Sequence, residues 1–208
     1  MVAAVALALF CFLAEAVASG RTVDFDNAIR LAIHAWASPA VTAAMIDISL
    51  LGDPKVLVPA AVLLTIYLVV ISRRHAAVVF ALALAGAELT EQILKLVFQR
   101  ARPEAFFNYP PPLGYSFPSG HSFISICFYG LTAAILTYRA RSQAVRILGW
   151  IAAGVVSVVI GFSRVYLGVH YPTDVLAGYC GAIVWAGSVA ILVLPRTAAK
   201  EAKEDSTP

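Results

Sequence analysis

The chain has 208 residues, of which 61% are hydrophobic and 13% charged, with a formal net charge of +3. A soluble domain is about half apolar and about a quarter charged, so this balance excludes an ordinary soluble protein and makes lipid the solvent for most of the chain. The small net charge sits in clusters rather than along one element, which argues against a nucleic-acid partner.

A spanning helix needs about 20 mostly apolar residues. In chain order, residues 2–18 are the first candidate, with Glu15 as their one charge. The run ends in "AVAS", which resembles a signal cleavage site. No Lys or Arg precedes it, so an uncleaved first span is expected. Residues 19–54 are mixed and close on Gly52, Asp53 and Pro54. They read as a short amphipathic helical region outside the bilayer or at its interface. Residues 56–72 and 76–98 give two further spans, separated by "RRH". Residues 121–138, 147–163 and 175–194 give the last three. The expected fold is all-α: a polytopic bundle of about six transmembrane helices, with one membrane domain over 1–195. Residues 196–208 are expected to form a polar, disordered cytoplasmic tail. Cys11, Cys127 and Cys180 fall inside apolar runs without metal spacing and read as packing residues.

Basic residues in short loops set orientation. Arg73 and Arg74, then Arg139, Arg141 and Arg146, then Arg196, Lys200 and Lys203 all fall on one side of a six-span layout. That side is expected to be cytoplasmic. The other side holds Arg21, Arg30, Lys55, Lys95, Arg100, Arg102 and Arg164. Several of these are not ordinary loop charges.

Ionisable residues at membrane depth are costly and usually functional. Three clusters stand out. "KLVFQRARP" carries Lys95 and Arg102, seven residues and two helical turns apart, before Pro103. "PSGH", Pro118 to His121, opens the fourth span, and "SRVYLGVHYPTD", Ser163 to Asp174, joins the fifth to the sixth. The layout brings all three to the same side of the membrane at the same depth. Lys95, Arg102 and Arg164 supply three cations. Ser119 can cap the following helix, and Gly120 lets a ligand approach its backbone. The first amides of that helix lack internal partners and its dipole favours an anion. Such a set suits a phosphate group. A neutral imidazole can attack phosphorus, and a charged one can protonate a leaving oxygen. Asp174, four residues after His170, is close enough to fix its tautomer, which suits His170 to attack. Nothing similar adjoins His121, which suits it to the acid role. No carboxylates are arranged for a metal, so the cations are expected to neutralise the phosphate.

The three stretches read Lys-x6-Arg-Pro, Pro-Ser-Gly-His and Ser-Arg-x5-His-x3-Asp, without departure. The chain thereby resembles the type 2 phosphatidic acid phosphatase superfamily, which includes bacterial membrane lipid phosphatases. The motifs cover residues 95–174, and the six-span layout extends the likeness over nearly the whole chain. The resemblance implies His170 as nucleophile, Asp174 as its partner and His121 as general acid. It implies Lys95, Arg102, Ser119, Gly120 and Arg164 as phosphate ligands, with no cofactor and no metal. It implies hydrolysis of a lipid phosphate or diphosphate drawn from the bilayer, of the undecaprenyl diphosphate, phosphatidylglycerol phosphate or phosphatidic acid type. A lipid phosphotransferase using the same histidine, and a non-catalytic lipid-phosphate binding or transport protein, are the competing readings. The active site is expected on the outer face of the inner (plasma) membrane; the oligomeric state is open.

Each residue alone has a plainer reading. Lys95 and Arg102 can be snorkelling residues, Arg164 a helix C-terminal charge, and Ser119 with Gly120 only a cap. Their joint spacing is what favours a site. His34 and His75 join no cluster and are expected to be structural. Glu88 and Glu91 inside the third span are expected to pair within the bundle or with a polar cavity. Tyr109 and the three prolines after it are expected to shape the loop over the site.

Overall fold

The computed structural model describes residues 1–204, with side chains as far as residue 191. It has eight helices and no strand among the described residues: α1 (Val2–Ala18), α2 (Val23–His34), α3 (Pro39–Leu50), α4 (Pro54–Val70), α5 (Arg74–Phe98), α6 (Gly120–Thr137), α7 (Gln143–Tyr166) and α8 (Pro172–Glu204). Each of the six expected spans falls on one helix, namely α1 and α4 to α8. The expected tail from residue 196 overlaps the end of α8, and residues 205–208 lie outside the described residues.

Local chemistry sets the helix starts. Ser38 and Asp53 accept from the backbone N–H of Val41 and Lys55, and each is followed by a proline whose fixed φ suits the first helical position. Ser119 caps α6 in the same way, accepting from the Ser122 N–H. Helix α5 ends at Gln99, whose left-handed backbone turns the chain out of the helix.

The region 19–54 resolves into two unlike helices rather than one amphipathic stretch. Helix α2 has a polar and an apolar face and starts with Asp24 and Asp26. Helix α3 is mostly apolar, with no distinct polar face, and runs into α4 through a 42° bend at Gly52–Asp53. Helices α5, α6, α7 and Pro172–Ile191 of α8 are each long and apolar enough to cross a membrane. Helices α1 and α4, with 17 residues each, reach that length only with their bent neighbours, α2 and α3, giving up to six spans.

Helix α6 is the axis of the bundle, packed by α5, α7 and α8, while α1 lies along α8 and α4 along α5. Phe123, Cys127 and Phe128 of α6 are buried against Ala87, Ala182 and Phe80. Leu82, Leu89, Leu96, Leu148 and Val155 face outward, as expected of surfaces solvated by lipid. Close helix approach in lipid relies on small residues. Gly178 on α8 shows why: a Cβ there would lie 2.7 Å from the Ser119 carbonyl oxygen and 2.9 Å from the Ser122 Cβ. This contact presses the second turn of α8 onto the N-terminus of α6. The Ser119 N–H donates to the Asp174 carbonyl (3.0 Å), which locks the two helix starts together.

Candidate active site

The ends of α5 and α7 and the starts of α6 and α8 meet at one end of the bundle. The loop over residues 99–119 is tied there by backbone bonds, from Phe106 N–H to Leu167 O (3.0 Å) and from Ser116 N–H to Arg100 O (2.8 Å). Beneath it lies a cavity of about 730 Å³. Lys95, Arg102, Gly120, His121, Arg164 and His170 all line it, so side chains from all three sequence clusters converge. Tyr109, Pro110 and Pro112 form part of its cover. The cavity continues along α5 from Lys95 to Leu84, about 16 Å at 1.5 Å per residue. This deeper part is walled by Leu57, Val58, Ala61, Ile124 and Phe128, with Glu88, Glu91 and Gln92 between the polar and apolar ends.

His170 is 2% exposed and sits between opposite charges. Its Nδ1 lies 3.4 Å from Asp174 Oδ2, and its Nε2 lies 3.0 Å from Arg102 Nη1. Arginine can only donate, so Nε2 must be bare and the proton must sit on Nδ1, toward the carboxylate. This is the neutral tautomer, with its Nε2 electron pair accepting from Arg102 at the cavity wall. Burial lowers the His170 pKa to about 4, with Arg102 and Arg164 adding to the effect and Asp174 opposing it.

The cations are held rather than loose. Lys95 Nζ lies 2.6 Å from Glu91 Oε1, a buried pair, so Glu91 finds the partner expected for it within the bundle. Arg164 donates to Ser49 Oγ on α3, and to the Tyr109 hydroxyl (3.4 Å). Arg102 also donates to the Val169 carbonyl (3.1 Å). Gly120 lies against this group: a Cβ there would meet Glu91 Oε1 at 2.5 Å and Lys95 Nζ at 3.4 Å. Three buried polar atoms of cavity-lining residues, Glu91 Oε1, His121 Nε2 and Arg164 Nε, have no hydrogen-bond partner, although Glu91 Oε1 faces the Lys95 ammonium as an ion pair. Such atoms are costly unless a ligand or water meets them.

Ser119 and Asp174 do not line the cavity. Ser119 is fully buried and spends its hydroxyl on the α6 cap, accepting from Ser122 Oγ (3.0 Å) as well as from its N–H. Asp174 stands behind His170. Ser163 donates to the Ile160 carbonyl (2.6 Å) and takes no part in the cavity. His34 stacks on Phe106, 4.0 Å between ring centroids, in a structural position.

Three residues around Asp174 escaped the sequence reading. Ser116 donates to Asp174 Oδ2 (2.5 Å), Arg100 donates to Oδ1 (2.6 Å), and Asp26 of α2 accepts from Arg100 (2.7 Å). Arg100 had stood only as one of several charges on its side of the membrane. The usable signal was its place in "QRARP", where two arginines two residues apart cannot both meet the same ligand easily.

The fold and this site define a polytopic membrane bundle with a pocket of cations and histidines at one end. The chain belongs to the PAP2 superfamily, whose profile matches residues 76–198. It is 32% identical over 171 residues to phosphatidylglycerophosphatase B of Bacillus subtilis, covering 82% of this chain and 84% of that protein. It is 32% identical over 140 residues to an undecaprenyl-diphosphatase of Sulfolobus acidocaldarius, covering 65% of this chain and 62% of that one. Its fold superposes with a TM-score of 0.84 and 29% identity on the crystal structure of a transmembrane PAP2 type phosphatidylglycerolphosphate phosphatase from Bacillus subtilis, over 91% of this chain and 94% of that one.

The state of His170 is directly measurable. With ¹⁵N-labelled histidine in detergent, and His170→Asn used for assignment, the His170 imidazole is expected to stay neutral from pH 8 to pH 5. An ordinary histidine, with a pKa near 6.5, becomes mostly charged over that range. A His170 midpoint above about 6 would remove the argument that burial keeps the ring neutral.

Proposed function

We propose that the protein is a membrane lipid phosphatase that transfers a phosphoryl group from its lipid to His170 and then to water. The observation that carries this reading is the bare Nε2 of His170 opening onto the same cavity as the three cations and the unpartnered Nε2 of His121. Binding alone needs the cations; it does not need a nucleophile with its proton parked on a carboxylate.

The phosphate enters the polar end and takes Arg102 from His170 Nε2. Lys95, Arg102, Arg164 and the first amides of α6 neutralise its oxygens. The Nε2 electron pair forms a bond to phosphorus as the bond from phosphorus to the lipid oxygen breaks. His121, protonated, gives its proton to that oxygen, and Asp174 stabilises the positive charge that forms on the His170 ring. Water then attacks phosphorus from the vacated side, His121 takes its proton, and the N–P bond breaks to release phosphate. The apolar extension of the cavity along α4, α5 and α6 holds the proximal part of the lipid chain. The relatives' names support a lipid phosphate as substrate, either a monoester of the phosphatidylglycerol phosphate type or a diphosphate of the undecaprenyl type, and phosphatidic acid is a third candidate on chemistry alone. Because the three cations carry the charge neutralisation that a metal ion gives elsewhere, turnover needs no metal.

The test is phosphate release from those three lipids in detergent with excess EDTA. The native protein should turn over at least one of them, and His170→Asn should lose at least ~10²-fold. His121→Ala should lose far less on a nitrophenyl phosphate than on the lipid, because a nitrophenolate leaves without protonation. Full activity of His170→Asn on every substrate would end this reading. Equal losses of His121→Ala on both substrate types would remove its acid role.

We further propose that the protein resides in the plasma (inner) membrane with this end of the bundle outside, as the basic loops on the opposite side suggest. With Cys11, Cys127 and Cys180 replaced, a cysteine at Asn108 should react with an impermeant thiol reagent in intact cells and one at Ser142 should not. The reverse pattern would place the site in the cytoplasm.

A further inference from the structure

Behind His170, away from the cavity, lies a chain of buried charges that the reaction as described does not use. Asp26 and Asp174 are fully buried, and the Arg100 side chain between them is 12% exposed. Arg100 Nη1 donates to Asp174 Oδ1 (2.6 Å) and to Thr173 Oγ1 (2.9 Å). Its Nη2 donates to Asp26 Oδ2 (2.7 Å) and to Thr22 Oγ1 (3.2 Å). Asp26 in turn accepts from the Thr173 N–H (3.0 Å) and its hydroxyl (2.7 Å), at the first turn of α8. The Tyr171 ring covers the guanidinium at 4.0 Å. Arg100 does not line the cavity, whereas Arg102, two residues later, does.

A carboxylate that must orient a histidine has two oxygens to place. Asp174 Oδ2 is shared by His170 Nδ1, the Tyr171 N–H (2.9 Å) and Ser116. Only Oδ1 is free to anchor the carboxylate plane, and Arg100 takes it. A buried arginine facing one carboxylate would hold the site's negative charge too firmly for it to support a cationic ring. A second carboxylate divides that attraction, and Asp26 supplies it. We propose that Arg100 is a positioning residue of this active site, bridging Asp26 and Asp174 so that Asp174 keeps its bond to His170 Nδ1. Helix α2 is thereby a working part of the site and not only its flank. The inference rests on His170 as nucleophile.

Two consequences separate it from a purely structural bridge. The first is kinetic: Arg100→Met should lower kcat by about 10–100-fold, the scale of a small misplacement at a reacting group, and leave KM within about threefold. Arg102→Met, on the cavity wall, should instead raise KM. The second is a pH effect with opposite signs. The charged groups around Asp174 are His170, Arg100, Asp26, and, further off, Arg30 and Arg102. Removing a neighbouring positive charge favours protonation of Asp174 and of His170, so Arg100→Met should move the acid limb of kcat/KM to higher pH. Removing a neighbouring negative charge does the reverse, so Asp26→Asn should move it to lower pH or leave it in place. Arg100→Lys keeps the charge but cannot bridge two carboxylates bidentately, so it should restore the limb while recovering kcat only in part.

The experiment is the pH dependence of kcat/KM, and kcat and KM at pH 7, for the native protein, Arg100→Met, Arg100→Lys, Asp26→Asn, Arg102→Met and His170→Asn, each taken as a monodisperse peak in detergent. The expected result is the KM and kcat split with limbs displaced in opposite directions by Arg100→Met and Asp26→Asn. Should Arg100→Met not fold, Arg100→Lys and Asp26→Asn still carry the comparison, through a native limb in the first and an unraised limb in the second. Unchanged kcat in Arg100→Met, a raised KM there, or limbs moving upward in both Arg100→Met and Asp26→Asn would overturn the inference. Activity retained by His170→Asn would overturn instead the reading it rests on.

Discussion

A neutral imidazole, buried between a carboxylate and a guanidinium, is the constraint on which the rest of this structure depends. Arg102 at 3.0 Å from Nε2 and Asp174 at 3.4 Å from Nδ1 fix where the proton of His170 is. Neither partner alone would do so: the carboxylate would favour a charged ring, and the guanidinium alone would leave the ring free to rotate. Burial supplies the remaining bias, because a charged imidazole would lose its hydration at this depth. Everything nearby serves to hold those two partners. Arg100 and Ser116 hold Asp174, the Val169 carbonyl holds Arg102, and the joined starts of α6 and α8 hold the turn that carries Asp174.

The membrane explains why such a concentration of charge is tolerable. Lipid solvates the outer faces of the helices, so a polar site must be closed inside the bundle. Several of the charges in and behind the pocket are therefore paired: Lys95 with Glu91 on its wall, and Arg100 with Asp26 and Asp174 behind His170. Arg102 and Arg164 have no carboxylate partner: Arg102 donates to carbonyls and to His170, and Arg164 has hydroxyl partners only and an unpaired Nε. These two are the cations with the most to gain from an anionic ligand. The cavity beyond them passes from charged to apolar walls along α5, the gradient a molecule with one anionic end and a hydrocarbon tail requires.

The fold was largely legible in the sequence because long apolar runs can be little else in lipid. Six runs gave six helices, and "PSGH" was read as opening the fourth span, where α6 begins at Gly120. The unlike characters of α2 and α3 were hidden, since a 36-residue mixed stretch averages an amphipathic helix with an apolar one. At the site, residues whose side chains face the cavity were readable, because their types and spacings match the chemistry of an anion. Residues one layer behind were not. Asp26 lies 148 positions from Asp174, and Arg100 differs from Arg102 only in which way it faces, which spacing does not encode. Ser119 shows the converse, a residue of the right type at the right place whose hydroxyl is taken by the helix cap.

The account stands on a phosphoryl group passing through His170. The measurement that meets it most directly is a rapid quench of the protein with lipid radiolabelled in its terminal phosphate, followed by alkaline denaturation and digestion. Native protein, and His121→Ala where water attack is slowed, should carry protein-bound label that acid removes and base does not, on the peptide containing His170. His170→Asn should carry none. Label on any other residue, or turnover without protein-bound label in either active form, would contradict the account.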